Sequence, residues 1–174
     1  IHLITVLPSE TLCWPLGKRS QVTPMEVALR FLASRVRSEA QVRERLATKG
    51  VAPEDVEDTV YRLCELGYVD DSEFARAVIR SRRHHRARGR RYVFEELRMY
   101  GVSEAVADEE LRMGYGDELE VARPVGRKQA GKLAEMSFLE FRQRLGAFLV
   151  RRGFEHSTAE SLVTELWGDR GSTN

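Results

Sequence analysis

The 174-residue sequence predicts an all-α protein: three tandem three-helix repeats in an elongated, curved array, with a short irregular N-terminal arm over residues 1–23 and a disordered tail over 170–174. Two observations predict it. Helix-start signals and glycine stops alternate along the chain from Thr23 onward, and the same glycine and apolar columns recur three times in one register. The units are bounded at 24–69, 70–116 and 117–169.

The elements follow in order. Thr23-Pro24-Met25-Glu26 is a capping box with proline in the first turn, opening a helix with Val27, Ala28, Phe31, Leu32 and Val36 on one face. Ser38 to Gln41 is a second capping box, and its helix points Val42 and Leu46 inward before Gly50 stops it. Pro53 and Glu54 start a third helix, with Val56, Val60, Leu63 and Cys64 apolar, ending at Gly67. In the middle unit Asp70-Asp71-Ser72-Glu73 begins a long helix that Gly89 interrupts or ends. Arg91 to Tyr100 is the second helix, stopped by Gly101, and Ser103 to Met113 the third, ending at Gly114 and Gly116. The last unit starts at Asp117, and Pro124 is expected to kink or shorten its first helix. Its second helix opens on the capping box Ser137 to Glu140, and its third on Ser157 to Glu160, with Leu162, Val163, Leu166 and Trp167 apolar. A short strand at His2 to Leu7 is the one regular element expected in the arm.

The register makes the repeat. Gly50, Gly101 and Gly153 lie 51 and 52 residues apart. Four residues before them stand Leu46, Leu97 and Leu149; eight before stand Val42, Val93 and Leu145. One residue after come Val51, Val102 and Phe154, the apolar partner that packs back across a glycine C-cap, and ten after come Val60, Leu111 and Val163. Repetition on this period implies stacking of units along a line, and each unit is too small to bury much surface alone, so neighbours are expected to share an interface.

Composition narrows the function classes. A hydrophobic share of 42% and a charged share of 32% suit an ordered, helix-rich chain, while a net charge of +1 means that affinity for an anion has to come from patches. Cys13 and Cys64 have neither disulfide-framework nor zinc spacing, which fits a reducing cytoplasm. No stretch reaches the roughly 18 apolar residues of a membrane span.

One patch stands out. From Arg80 to Arg91 the chain carries Arg80, Arg82, Arg83, Arg86, Arg88, Arg90 and Arg91 with His84 and His85, and no acid. A solubilising helix face normally interleaves acids to gain i,i+4 pairs; here the repulsion stays uncompensated until an anion arrives. Arginine forks engage phosphates or carboxylates alike, so nucleic acid and acidic protein both remain open. Arg82, Arg83, Arg86 and Arg88 are expected to be dispensable for folding.

The chain resembles the RecX family, the bacterial regulators of the RecA recombinase. The resemblance is carried by Leu66-Gly67-Tyr68-Val69-Asp70-Asp71-Ser72-Glu73-Phe74-Ala75 and the arginine-rich helix end after it. Arg35-Val36-Arg37-Ser38, Glu96-Leu97, Gly101-Val102 and Phe148 to Phe154 support it, over about Pro24 to Leu166. Arg90-Arg91 stands where the family often has Gly-Pro, and Arg127 to Gly131 where it often has a basic-aromatic step. The resemblance implies a non-enzymatic negative regulator of RecA that works in DNA repair, homologous recombination and the SOS response. Such a protein lodges as a monomer in the groove of the RecA–single-stranded DNA filament and restrains ATP hydrolysis, strand exchange and co-protease activity. The implied RecA and DNA contacts are the seven arginines from Arg80 to Arg91, together with Lys128, Arg151 and Arg152 of the third unit. Free DNA is a further expected target. The alternative is a stand-alone DNA-binding transcriptional regulator, because the short second and third helices of each unit look like helix-turn-helix pairs.

Other features read as structural. Adjacent residues on a helix point about 100° apart, so His84 and His85 cannot hold one metal ion together. Tyr92, Phe94 and Tyr100 sit at helical spacing and are expected to pack rather than stack on bases, and the acids from Glu104 to Glu120 read as surface. Gly17-Lys18-Arg19-Ser20 imitates a phosphate loop poorly, and no nucleophile-elbow or Cys–His pattern occurs. No catalytic residue, cofactor, metal or membrane contact is expected.

Overall fold

The structure, a computed structural model, describes residues 22–171; the expected strand at His2 to Leu7, the rest of the arm before residue 22 and Cys13 lie outside them. Nine α-helices and no strand are present among the described residues. The first unit holds α1 (Pro24–Leu32), α2 (Glu39–Thr48) and α3 (Pro53–Glu65). The second holds α4 (Asp71–His84), α5 (Arg90–Met99) and α6 (Glu104–Gly114), and the third α7 (Glu118–Ala130), α8 (Phe138–Arg151) and α9 (His156–Gly171). No described helix is long and apolar enough to cross a membrane.

Caps set the boundaries. The capping boxes at Thr23, Ser38 and Ser137 all form, and Asp70, Ser103 and Asp117 accept first-turn amides through their side chains. Helix α1 ends at Leu32, so Val36 lies beyond it and is exposed. The extended backbone that Ser38 needs to cap α2 (ψ 159°) forces the chain out of helix before it. Helix α9 begins at His156, one residue before the expected Ser157, and runs past the expected limit at 169. Arg170, placed in the tail by sequence, donates to the Ala130 carbonyl at 3.0 Å and lies 4.0 Å over the Phe141 ring. Helix α7 continues through Pro124, followed by a 3-10 turn at Gly131–Leu133. Buried Val121 and Ala122 anchor it, and Arg123 reaches Glu165 on α9 at 2.8 Å, which holds the helix where proline removes one backbone bond.

The repeated columns become the core. Val42, Leu46, Val93, Leu97, Leu145 and Leu149 are fully buried. Gly50, Gly101 and Gly153 adopt φ of 78°, 81° and 84°, and the residue after each donates back to Leu46, Leu97 or Leu149 at 3.1–3.2 Å, closing three Schellman caps. One apolar core runs from Phe74 to Leu166 through the second and third units, while a separate cluster fills the first.

The junctions repeat as faithfully as the units. The C-terminal end of α5 abuts the start of α2: Ser38 Oγ donates to the Tyr100 carbonyl at 2.6 Å, and Asp71, first residue of α4, accepts from the Glu39 amide at 2.9 Å. The C-terminal end of α8 abuts the start of α5 in the same way. The Gly89 amide donates to the Arg152 carbonyl at 2.9 Å, and Glu118, first residue of α7, accepts from the Arg90 amide at 2.8 Å. In each case the next unit supplies a carboxylate to an orphan amide at a helix start. The corresponding position of the first unit is Pro24. The three second helices therefore follow one another end to end, which makes the array linear.

Candidate functional site

The arginine-rich block leaves helix earlier than its composition suggests. Helix α4 stops at His84, and residues 85–88 form a connector to Gly89, which is the N-cap of α5 rather than a break within α4. The connector backbone is pinned. Tyr115, fully buried, donates its hydroxyl to the Arg88 carbonyl, and Arg152 Nη1 donates to the Ala87 carbonyl at 3.1 Å. With Ala87 and Gly89 buried, the side chains of Arg86 and Arg88 are offered outward from a fixed backbone.

The ten expected contact residues separate into groups. Arg82 forks onto Glu96 of α5, Nε to Oε2 at 2.7 Å, and this hydrogen-bonded partner raises the guanidinium pKa. Arg83 donates to the Gly114 carbonyl at 2.8 Å, and Arg90 donates to the Leu111 and Gly116 carbonyls while lying over the Tyr115 ring. Both cap the C-terminal end of α6, where the helix dipole favours cations. The expectation that Arg82 and Arg83 are dispensable for folding is therefore corrected: both hold the middle unit together. Arg80 is exposed on α4. Arg91 and Arg151 line a different cleft, beside Tyr92 and Glu95.

Arg86, Arg88, Lys128 and Arg152 converge. With His85 and Lys132 they line a groove of about 430 Å³ between the second and third units, floored by Val125 and Phe148, and no carboxylate among the described residues lines it. Arg152 lies 4.8 Å over the Phe148 ring; burial and the neighbouring Arg88 charge lower its pKa. Arg86 also lines a second groove, of about 590 Å³, between the first and second units. That groove is lined by Arg35 and Arg82 together with Phe74 and Tyr100, whose rings meet edge to face at 5.4 Å, and again by no carboxylate among the described residues. Arg82 is already held by Glu96, but the groove cations without a carboxylate partner among the described residues can take up phosphates or carboxylates in a site partly shielded from water.

Sequence reasoning missed Arg35, His85 and Lys132 as groove residues, and Phe148 and Tyr100 as floors. Lys132 follows Lys128 at helical spacing, a usable signal; Arg35 sits in the turn between α1 and α2 and had none. The acids read as surface are largely engaged: Glu110 meets Arg76 at 2.8 Å, Glu104 meets Arg98 at 2.9 Å and Glu109 meets Arg112 at 2.7 Å. Phe94 and Tyr100 pack against the core of the second and third units, Tyr100 edge to face on Phe74, whereas the Tyr92 side chain is exposed and only its backbone and Cβ lie beside Gly153. His84 and His85 are exposed, and no group of three or more His, Cys, Asp or Glu side chains among the described residues could hold a metal ion.

Comparison with known proteins gives consistent matches. Family models described as the first, second and third three-helix domains of RecX match residues 25–63, 70–111 and 116–163. The chain is 33% identical over 142 residues to the Regulatory protein RecX of Pelodictyon phaeoclathratiforme, covering 82% of this chain and 88% of that relative. It is 31% identical over 137 residues to the Regulatory protein RecX of a Geobacillus strain, but spans only 51% of that longer protein. Among solved structures, RecX from Lactobacillus salivarius superposes with a TM-score of 0.76 at 19% identity, over 82% of this chain and 94% of that one, which speaks to the fold.

Proposed function

We propose that this chain, which belongs to the RecX family of regulatory proteins, is a negative regulator of the RecA recombinase. It seats in the groove of the RecA–single-stranded DNA filament and restrains ATP hydrolysis, strand exchange and co-protease activity, acting in the cytoplasm as a non-enzymatic monomer. The observation that supports this best is the pair of grooves flanking the middle unit and sharing Arg86, both lined by cations and by no carboxylate among the described residues. A linear array with cationic clefts at successive junctions suits a target that is itself a helical polymer of repeating charge. The residues assigned to contact are Arg86, Arg88, Lys128 and Arg152 in one groove and Arg35 in the other, with Arg80, Arg91 and Arg151 around them.

The test is ATP turnover by RecA on single-stranded DNA. Wild-type protein should inhibit at micromolar concentration, and joint replacement of Arg86, Arg88 and Lys128 by Gln should relieve the inhibition while leaving helicity intact. Absence of inhibition by the wild type would end the proposal. Sequence-selective binding to bare duplex DNA would point instead to a stand-alone transcriptional regulator.

A further inference from the structure

The first unit carries a cationic cluster that lies outside the arginine block. Arg37 rests on the Phe31 ring at 4.1 Å from its centre, and Arg45 of α2 approaches the same ring at 5.6 Å. Among the described residues Arg37 Nε is shut off from solvent without an acceptor, and Arg37 Nη2 donates to Ser34 Oγ at 3.5 Å. Burial, then the charges of Arg35 and Arg45, lower its pKa, so the cluster is under repulsive load. Arg45 and Lys49 open with Arg30 onto a groove of about 490 Å³ floored by Phe31, and no carboxylate among the described residues lines it. The contrast within α2 is informative: Arg43, on another face, is neutralised by Glu39 at 3.0 Å and Glu57 at 3.1 Å. Acids were available to this helix and are placed away from Phe31.

The cluster is continuous with the two grooves already described. Ser34 lines the first-unit groove and its neighbour Arg35 lines the one between the first and second units, which shares Arg86 with the one between the second and third. Each of the three is lined by an aromatic residue, Phe31, Tyr100 or Phe148, together with cations, and by no carboxylate among the described residues. An acidic protein surface is a discrete patch of mixed composition. A ligand that presents uniform charge at every repeat along a path that bends with the grooves is single-stranded nucleic acid, whose phosphates can run along the cations.

We infer that Arg37, Arg45 and Lys49 with Phe31 form a further phosphate-binding site for single-stranded nucleic acid, extending one track from the third unit onto the first. The inference shares with the proposed function only the premise that the grooves take a polyanion, so it is tested without RecA. Fluorescence anisotropy of a labelled oligothymidylate is measured with the full chain across a range of salt concentrations. Replacing the exposed pair together, R45Q/K49Q, should weaken binding on the order of tenfold near ~0.1 M salt and flatten the log–log salt slope by roughly 0.7 per lost phosphate contact. Arg37→Lys keeps the charge but loses the fork, and should weaken binding without altering the slope. Circular dichroism confirms that each variant folds. Wild-type affinity and slope in R45Q/K49Q, or no binding by the wild type, would overturn the inference. Retained oligonucleotide binding with lost filament inhibition would also overturn it, assigning the cluster to a protein surface. Variant-sensitive oligonucleotide binding alongside unaffected RecA turnover would leave the site standing and remove the proposed function instead.

Discussion

Gly89, Gly153 and Gly50 allow the junction between the second and third units to be weighed directly. A Cβ on Gly89 would stand 2.0 Å from the carbonyl carbon and oxygen of Gly153 and 2.1 Å from the Phe154 nitrogen. Ordinary contact is about 3.5 Å, so the two backbones would have to separate by about 1.5 Å. That separation breaks the 2.9 Å bond from the Gly89 amide to the Arg152 carbonyl. Overpacking of a fixed backbone costs about 1–3 kcal/mol and the lost hydrogen bond about 1 kcal/mol, so Gly89→Ala should destabilise by about 2–4 kcal/mol. Its φ of −66° suits alanine, so the loss is almost all junction. Gly50→Ala is the opposite control: φ is 78° and nothing lies within 4 Å, leaving about 1–2 kcal/mol for the left-handed backbone alone. Gly153 combines both, with φ of 84° and Tyr92 atoms at 2.4–3.0 Å from the added Cβ, and its alanine variant should lose the most, about 2–5 kcal/mol. Urea unfolding followed by circular dichroism, at matched slopes, measures all three. A Gly89→Ala variant within about 0.5 kcal/mol of wild type, or a Gly50→Ala loss equal to that of Gly153→Ala, would refute the close-contact junction.

The remaining predictions concern charge. Burial pushes the Asp71 carboxyl pKa up, with the Glu39 and Asp70 charges adding and the Glu39 amide and Arg43 opposing. A raised pKa in the folded state gives stability that is complete below the unfolded pKa and is lost as pH rises through the folded one. The wild-type urea midpoint should therefore fall, relative to Asp71→Asn, as pH climbs just above the ordinary aspartate range; a relative rise would contradict the assignment. Arg82→Gln strands the part-buried Glu96 carboxylate and should cost about 2 kcal/mol, whereas Arg86→Gln should melt within about 0.5 kcal/mol of wild type. Equal losses in thermal melts would erase the division between structural and ligand-facing arginines.

Much of the fold was legible because it is built from local signals. Capping boxes, first-turn prolines and C-cap glycines act within a few residues, so their effect survives whatever the tertiary structure does. The recurring Leu46, Leu97 and Leu149 column could be read because burial on a helix has a fixed period. Gly89 was misread for the opposite reason. Its φ is ordinary, and it is glycine only because residues 153 and 154, more than sixty positions away in sequence, pass beside it. Val36 was likewise assigned to a helix on spacing, and the extended Ser38 cap overrode it.

Sequence by itself determined the three helical triplets, their order, and the presence of excess positive charge in the middle unit. It could do so because helix propensity, capping and charge runs are properties of neighbouring residues. Only the tertiary structure decided which cations are spent inside the fold and which face a groove. Arg82, Arg83 and Arg90 find Glu96 and the free carbonyls ending α6, while Arg86 and Arg88, in the same run, find none and meet Lys128 and Arg152. A charge is neutralised by whatever lies within a few ångströms, and that neighbour comes from the stacking of units rather than from the next residue along the chain.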